Sequence, residues 1–437
     1  MITFGSRLKL ASLTRTVAAQ ETVHRAKPLA KSLGVTRLAD VTGLDRVGIP
    51  VFSAIVPDSD DTISVYSGKG SHRADAMAGA LMEAVERQVT IRARPKTIRA
   101  STIDLRRHAS ILDPEALISS LAEDYDESRI YEWIEGYDLL NGRLTLVPAH
   151  VAGYRWSWPR CGSPLLISTT HGLSSGNCLE EAISQSICEW IERDAWTLAE
   201  LASHWRPRAL REYQLRRDPG DDFVDDLERC PCIDFSGIGE EVEALLRRFH
   251  RAGFSPIVRD ISSDLGIPVV LATVTEDDIP DFPQAHMGVG AHPDLRVAAI
   301  RALTEAAQSR AADIQGVRED LSLADEPRAD TGVATHTKRT KFIDQRRWLH
   351  APSRSRRLWS KIQEHRNLDI RDDILLLLRR LRAAGVQQAV MVDLSPPDSG
   401  VFVVRLLVTG LEMWIADGQR IGERAAAYWR GLNRNGK

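Results

Sequence analysis

Apolar and polar positions follow a recurring order along the chain: amphipathic helix, strand, turn, strand. Three stretches share an apolar run ending in Asp, a polar turn with Gly and a β-branched run; they are DVTGLDRVGIPV (40–51), DISSDLGIPVV (260–270) and DLSPPDSGVFVV (393–404). This pattern predicts two strands joined by a turn. Amphipathic helices precede the second and third copies, each followed by a Gly suited to a C-cap. A weaker copy, with Asn-Gly at its turn, lies at 137–151.

The repeated units predict the fold class. Helices that alternate with strand pairs indicate an α/β (α+β) protein built by internal duplication. The alternative is a chance similarity among ordinary hairpins. With 437 residues, 43% of them hydrophobic, the chain can bury a large core as one big domain or two.

One predicted helix carries an acidic stripe. In EEAISQSICEWIERDA (180–195), Glu181, Gln185, Glu189 and Glu192 fall within an arc of about 80° on one side of the helix, at about 100° per residue. Such groups repel each other unless a cation lies among them. Two other stretches, GALMEAVER (79–87) and RALTEAAQSR (301–310), repeat the spacing. The groups one turn apart there are Glu83 with Glu86, and Glu305 with Gln308. An isolated Glu-x-x-Glu is usually a solvated helix face, but three such helices favour a shared site.

Converging carboxylates favour hard divalent cations. Mg²⁺ usually takes one or two protein carboxylates and shares its other positions with water and nucleotide phosphates. Several carboxylates therefore indicate more than one ion holding a triphosphate. Donors for phosphate are available in YSGKG (66–70), where Lys69 lies between two glycines, and in the loop STTHGLSSGN (168–177), which leads into the acidic helix. The sequence thus predicts a nucleotide site that lacks a Walker A loop.

Composition and charge exclude other classes. A formal net charge of −3 does not indicate a nucleic-acid-binding protein, and the apolar runs are too short to span a bilayer. The N-terminus has no apolar core, so a polar arm is favoured over a transit peptide, and a secretory signal is disfavoured. The five cysteines form no disulfide framework, and the CPC stretch at 230–232 has no second pair to complete a metal site. The 12 histidines are dispersed, which disfavours a metal-dependent hydrolase. We expect a cytoplasmic protein.

A basic segment interrupts the C-terminal half. Lys and Arg are dense between about 321 and 366, most of all at 337–361. This segment is either a solvated, mobile connection or a surface that faces an acidic partner. We expect an N-terminal arm at 1–33 and one domain at 34–437 that contains this segment.

From about residue 34 to about 415 the chain resembles the YcaO family. EAISQSICEWIERDA has every fixed position of the family motif E-x-x-x-Q-x-x-x-E-x-x-E-R, and GALMEAVER resembles S-x-x-x-E-x-x-E-R with Gly79 in place of Ser. VTGLE (408–412) resembles V-P-G-L-E with Thr409 in place of Pro. The remaining similar stretches are SGKG (67–70), THGLSSG (170–176), GAHPDLRVAAIRALTEAAQSR (290–310) and GVRED (316–320).

The resemblance implies an ATP- and Mg²⁺-dependent enzyme with a YcaO-type fold around a buried nucleotide site. Family members phosphorylate a peptide backbone amide oxygen, after which a nucleophile adds to the carbon and phosphate leaves. The implied Mg²⁺ ligands are Glu83, Glu86, Glu189 and Glu192. The implied ATP-binding residues are Ser67, Lys69, His171, Glu181, Gln185, Arg193, Glu305, Gln308 and Arg310. No catalytic residue is singled out.

The product of the implied reaction is left open between two subclasses. Azoline-forming members commonly end in a Pro-rich tail, whereas this chain ends WRGLNRNGK. The stretch GVTRLADVTGLDRVGIPV is similar to members that work beside a TfuA partner and form thioamides, which favours thioamide formation. The implied partners are a precursor peptide and a TfuA-like or other accessory protein, and we allow for a homodimer. A non-catalytic, peptide-recruiting protein is the alternative from another class.

Overall fold

The computed structural model describes residues 4–10, 14–116, 125–154, 169–203, 228–276, 284–316, 347–413 and 422–434. In these ranges the α-helices are Ala19–Ser32 (α1), Arg73–Arg92 (α2), Thr102–Arg106 (α3), Ala149–Ala152 (α4), Leu179–Ser203 (α5), Glu240–Arg251 (α6), Leu295–Gly316 (α7), Arg347–His350 (α8), Ile370–Ala383 (α9) and Glu423–Arg434 (α10). The GVRED stretch from 317 onward and the basic segment up to 346 lie outside the described residues.

The strands form three sheets. The strands are Arg37–Asp40 (β1), Val51–Ile55 (β2), Val65–Lys69 (β3), Ile98–Ser101 (β4), Ile130–Asp138 (β5), Arg143–Pro148 (β6), Leu173–Gly176 (β7), Cys232–Asp234 (β8), Ile257–Asp260 (β9), Val269–Glu276 (β10), Gln284–Ala291 (β11), Arg356–Leu358 (β12), Ala389–Asp393 (β13) and Phe402–Val408 (β14). Their orders are β1-β2-β3, β11-β10-β9-β8-β12 and β4-β5-β13-β14-β7, with β6 paired to β5. The predicted mixed α/β class is confirmed.

The recurring sequence units form antiparallel strand pairs. The pairs β1–β2, β9–β10 and β13–β14 correspond to the three copies, and β5–β6 to the weaker one. In the three copies the Asp that ends the first strand accepts a hydrogen bond from the N–H two residues later. These bonds are Thr42 N to Asp40 at 3.1 Å, Ser262 N to Asp260 at 3.0 Å, and Ser395 N to Asp393 at 2.9 Å. The Asp side chain therefore starts each turn.

Helices cover the sheets and define the core. α5 packs on β14 and β7, α2 packs on β3, and α7 packs on β11. β3 and α2 approach so closely that a Cβ on Gly68 would lie 2.0 Å from the Ala80 nitrogen, and one on Gly79 would lie 3.2 Å from the Gly68 Cα. Glycine at both positions permits this approach, which brings Lys69 next to the acidic side of α2.

The expected N-terminal arm is packed against the domain. α1 buries Ala26 and Ala30 in the cluster that includes α2. Residues 4–10 run beside the start of α9, where the Ile370 N–H donates to the Arg7 carbonyl at 3.0 Å and the Lys9 N–H donates to the Leu368 carbonyl at 2.9 Å. The segment is thus held by backbone hydrogen bonds.

The C-terminal helix α10 braces α5. Arg424 donates to both carboxylate oxygens of the buried Asp194 on α5, at 2.8 and 2.9 Å. It also donates to Asp264 in the turn before β10, at 2.5 Å. Glu412, which follows β14, accepts the N–H groups of Gly422 and Ala425 at the start of α10, each at 2.9 Å.

None of the helices in the described ranges combines the length and the apolar character that a bilayer crossing requires.

Candidate functional site

Three helices bring acidic side chains to one place in the fold. Lys69 at the end of β3 forms an ion pair with Glu305 of α7 at 2.5 Å, and Gln308 of α7 donates to the Ser67 carbonyl at 2.6 Å. These contacts join α7 to β3, which in turn packs on α2. The residues that converge are those predicted from the helix spacing: Glu83 and Glu86 of α2, Glu189 and Glu192 of α5, and Glu305 of α7.

The two carboxylates of α2 resist ionisation. Burial raises the pKa of Glu83, and the charges of Arg87 and Lys69 offset this only in part. Burial, together with the charges of Glu83 and Glu189, raises the pKa of Glu86 well above its usual value. The Ser175 hydroxyl on β7 donates to Glu86 at 3.0 Å. A cation placed beside Glu83 and Glu86 would therefore stabilise their ionised forms.

The two carboxylates of α5 differ from each other. Glu189 accepts the Gly172 N–H at 3.1 Å and lies 3.8 Å from His171 Nδ1. Burial raises the pKa of Glu192 to about 8, together with the charges of Glu305 and Glu189 and against that of Arg193. The Arg193 guanidinium lies 4.0 Å from Glu192 and over the Trp196 ring at 5.5 Å.

The donor set fits Mg²⁺ in its chemistry. Carboxylate oxygens are the ligands that hard divalent cations prefer, and here they come from three helices, with Lys69 and Arg193 beside them. Among the described residues, no three Asp, Glu, His or Cys side chains already stand close enough to hold one ion. Glu86, Glu189 and Glu305 each have a protein partner in this structure.

Glu181 lies at the other end of the α5 stripe, in contact with the N-terminal segment. It accepts the Thr16 N–H and hydroxyl at 2.7 and 2.8 Å, Arg15 at 3.2 Å, and the Asn177 N–H and side-chain amide at 2.9 Å each. Burial opposes its ionisation, but Arg15, Thr16 and Asn177 together lower the pKa of Glu181. Gln185 is half-buried between this group and the acidic cluster. Protein partners thus satisfy Glu181 in this structure.

Arg310, for which the resemblance implied an ATP-binding role, contacts carboxylates in this structure. Its buried guanidinium donates twice to Asp45, at 3.1 and 3.2 Å, and once to Glu276 at 3.1 Å. It also stacks over Phe254 at 4.1 Å. In this structure Arg310 thus joins α7 to β10 and to the turn after β1, and its role in ATP binding stays a prediction.

Three basic residues near the acidic cluster were missed in the sequence. Arg301 lies one turn before Glu305 on α7, near Glu192 and Cys188, and its spacing from Glu305 was an available signal. Arg15 reaches Glu181 from the N-terminal segment, and Arg405 reaches the cluster from β14. No local sequence pattern points to Arg15 or Arg405, because the partners of each lie far away in the chain.

Comparison with known proteins places the chain in a family. A family model described as YcaO cyclodehydratase, ATP- and Mg²⁺-binding, matches residues 67–412. A protein of Methanothermobacter thermautotrophicus is 36% identical over 93% of this chain and 97% of its own length. A Rhizobium leguminosarum bv. trifolii protein, described by its position in the tfuA 3′ region, is 33% identical over 95% of this chain and 93% of its own length.

Solved structures share the fold. YcaO from Methanopyrus kandleri, bound with AMPPCP and Mg²⁺, superposes with a TM-score of 0.69 at 23% identity and covers 96% of this chain and 98% of its own. A heterocyclase in complex with substrate and cofactor gives a TM-score of 0.73 at 21% identity over 94% of this chain. The present chain spans 54% of that heterocyclase. The sequence match and the shared fold agree: the chain belongs to the YcaO family.

Proposed function

We propose that the protein uses ATP and Mg²⁺ to phosphorylate a peptide backbone amide oxygen, and that an external sulfur donor then converts the amide to a thioamide. The observation that carries the ATP chemistry is the convergence of carboxylates from α2, α5 and α7 around Lys69 and Arg193. Family membership supports the same chemistry, because the matching family model is described as ATP- and Mg²⁺-binding.

The acidic and the basic residues of the site have different proposed roles. Glu83, Glu86, Glu189 and Glu192 would hold Mg²⁺, which when bound supplies positive charge that offsets the phosphates. Lys69 and Arg193 would bind the phosphates and help to orient them for transfer, and Arg301 would contribute a further cation. Amide oxygen is a weak nucleophile, so alignment and charge neutralisation supply most of the rate enhancement.

The reaction balances without a redox partner. The amide oxygen attacks the γ-phosphorus and ADP leaves. A sulfide-level sulfur then adds to the carbon, the C–O bond breaks, and inorganic phosphate carries the oxygen away. In the azoline alternative a Cys, Ser or Thr side chain of the peptide adds instead, and one water is lost in total.

Thioamide formation is proposed because the Rhizobium relative, 33% identical to this chain, is described by its position in the tfuA 3′ region. We accordingly propose a TfuA-like accessory protein that delivers sulfur or docks the peptide.

Mass spectrometry of a candidate precursor peptide tests the product. The peptide is incubated with the enzyme, Mg-ATP, the accessory protein and sulfide. We expect a mass gain equal to the difference between sulfur and oxygen. Loss of one water per modified residue, without sulfide, would contradict thioamide formation and leave the ATP chemistry standing. No ATP turnover under any of these conditions would instead support a non-catalytic, peptide-recruiting role.

A further inference from the structure

A buried arginine interrupts an apolar row of β14. Val403 and Leu407 both belong to the apolar cluster that includes α2, and Arg405 lies between them on the same strand face. Only 4% of Arg405 is exposed. Burying a guanidinium costs several kcal/mol unless charges or hydrogen bonds compensate it, so this position requires an explanation.

The hydrogen bonds of Arg405 compensate only part of this cost. One terminal nitrogen, Nη1, donates to the Thr169 carbonyl at 2.9 Å. The buried Nε finds no hydrogen-bond partner within the described residues. The remaining compensation is ionic: burial lowers the pKa of Arg405 to about 10, and the charges of Glu189 and Glu86 oppose that shift. The side chain is therefore still a cation at neutral pH.

The strand beside Arg405 carries the contacts to both of these carboxylates. Arg405 pairs with Leu173 in the β14–β7 register. On one side of Leu173, the Gly172 N–H donates to Glu189. On the other side, the Ser175 hydroxyl donates to Glu86. Through Thr169, Arg405 also holds the start of the loop that ends in Gly172.

We propose that Arg405 is a positioning residue that holds Glu86 of α2 and Glu189 of α5 in place for Mg²⁺ by fixing the loop at 169–172, with its buried positive charge acting on both carboxylates. It is too buried to touch nucleotide or peptide, so it acts through those two side chains. The inference rests on the proposed function, because it assigns a support to the same Mg²⁺ site.

Calorimetry with a non-hydrolysable ATP analogue tests this role across a Mg²⁺ titration. Arg405→Met removes the charge and the Thr169 contact, whereas Arg405→Lys retains the charge. The matched control is Arg259→Met. Arg259 is also fully buried and donates to carbonyl oxygens, those of Cys230 and Ala351, in the other large sheet. Thermal unfolding of each variant reports its stability separately.

The sign of the change separates positioning from simple charge. Loss of one positive charge beside the carboxylates would by itself strengthen Mg²⁺ binding. We expect the opposite for Arg405→Met: the Mg²⁺ concentration for half-saturation rises about tenfold or more, a loss of ~1.4 kcal/mol. Arg405→Lys recovers most of this loss. Arg259→Met lowers the unfolding temperature but leaves the half-saturation concentration unchanged.

Two results would overturn the inference. One is an unchanged or lower half-saturation concentration in Arg405→Met, and the other is an equal rise in Arg259→Met. If Arg405→Met does not fold, Arg405→Gln replaces it, because the shorter Gln side chain carries no charge and does not reach the Thr169 carbonyl, and the same rise is expected. Absence of Mg²⁺-dependent nucleotide binding in the wild-type protein would contradict the proposed function itself.

Discussion

Glu189 and Glu192 of α5, the two carboxylates proposed to hold Mg²⁺, lie one turn apart, yet their proton affinities differ. Burial opposes ionisation of Glu189, but His171, Arg193 and the Gly172 N–H outweigh it and lower its pKa. At Glu192, burial and the charges of Glu305 and Glu189 outweigh the charge of Arg193, and the pKa rises to about 8. At neutral pH, Glu189 is therefore the ionised member of the pair and the first candidate to meet an incoming cation.

Replacing Glu189 with Gln removes this ionised ligand. We expect Glu189→Gln to abolish Mg²⁺-dependent nucleotide binding, measured by calorimetry, while the circular dichroism spectrum is unchanged. The fold is retained because losing one charge relieves repulsion within the cluster. The matched control is Glu135→Gln, a change at an exposed position of β5. Wild-type affinity in Glu189→Gln would remove this residue from the site.

The raised pKa of Glu192 predicts a pH dependence of stability. Its pKa is raised from the ordinary value of 4.5 to about 8 in the folded protein, so the folded state binds more protons than the unfolded state across this window. The free energy of unfolding contributed by Glu192 therefore falls as pH rises from about 5 to 8. We expect Glu192→Gln to flatten this fall in thermal melts recorded with a chelator. A slope equal to that of the wild type would contradict the assignment.

Among the elements, the N-terminal segment is fastened by a buried ion pair. Lys9 Nζ lies 2.5 Å from Asp373 Oδ2 on α9, and the two side chains are 5% and 1% exposed. Asn367 donates to the other oxygen at 3.0 Å. The pair connects the segment that carries Arg15 to the core of the molecule.

Removing Lys9 should therefore cost much more than breaking a surface pair. Lys9→Met leaves Asp373 buried without its cation, and we expect a loss of about 3 kcal/mol in the free energy of unfolding. Arg25→Ala, which breaks the exposed i,i+4 pair with Glu21 on α1, should cost no more than about 0.5 kcal/mol. Urea denaturation measures both. Equal losses of unfolding free energy in the two variants would contradict the description of Lys9 and Asp373 as a buried ion pair.

The elements also show what the sequence could and could not predict. The turns that begin with Asp and the Glu stripes depend on neighbours within four residues, so the local sequence pattern predicted the strand pairs. The same kind of pattern predicted the convergence of Glu83, Glu86, Glu189, Glu192 and Glu305. The roles of Arg310 and Arg405 depend on residues far away in the chain. Asp45 is 265 residues from Arg310, and Thr169 is 236 from Arg405. The periodicity of the sequence does not predict contacts between residues so far apart in the chain.

At the scale of the whole molecule, basic charge collects at one sheet edge. Residues 347–361 contain Arg347, Arg354, Arg356, Arg357 and Lys361 and no acidic residue. They include β12, which is the edge strand of its sheet in the described part of the chain. A groove of about 640 Å³ beside it is lined by Arg356, Phe235 and His250, among others. The remainder of the predicted basic surface, 337–346, lies outside the described residues.

Reversing charge on this edge separates peptide handling from ATP chemistry. We expect the double variant Arg354→Glu and Arg356→Glu to lower peptide conversion more than basal ATP hydrolysis, because an acidic partner loses its attraction to the edge. The control pair Lys27→Glu and Arg430→Glu makes the same change in net charge at exposed positions elsewhere. Parallel loss of both activities would place the edge in the nucleotide site instead.

The ion pair between Arg424 of α10 and Asp194 of α5 has a consequence for the stage of synthesis at which the protein becomes active. Arg424 and Asp194 are 230 residues apart, and β7 is joined to the large sheet through β14, which is made late. Contacts of such long sequence separation form slowly, since loop closure precedes the gain from packing. A nascent chain that has released α2 and α5 but not β14 therefore lacks the framework that holds Glu86 and Glu189. Nucleotide use is accordingly expected to begin only after nearly the whole chain has left the ribosome.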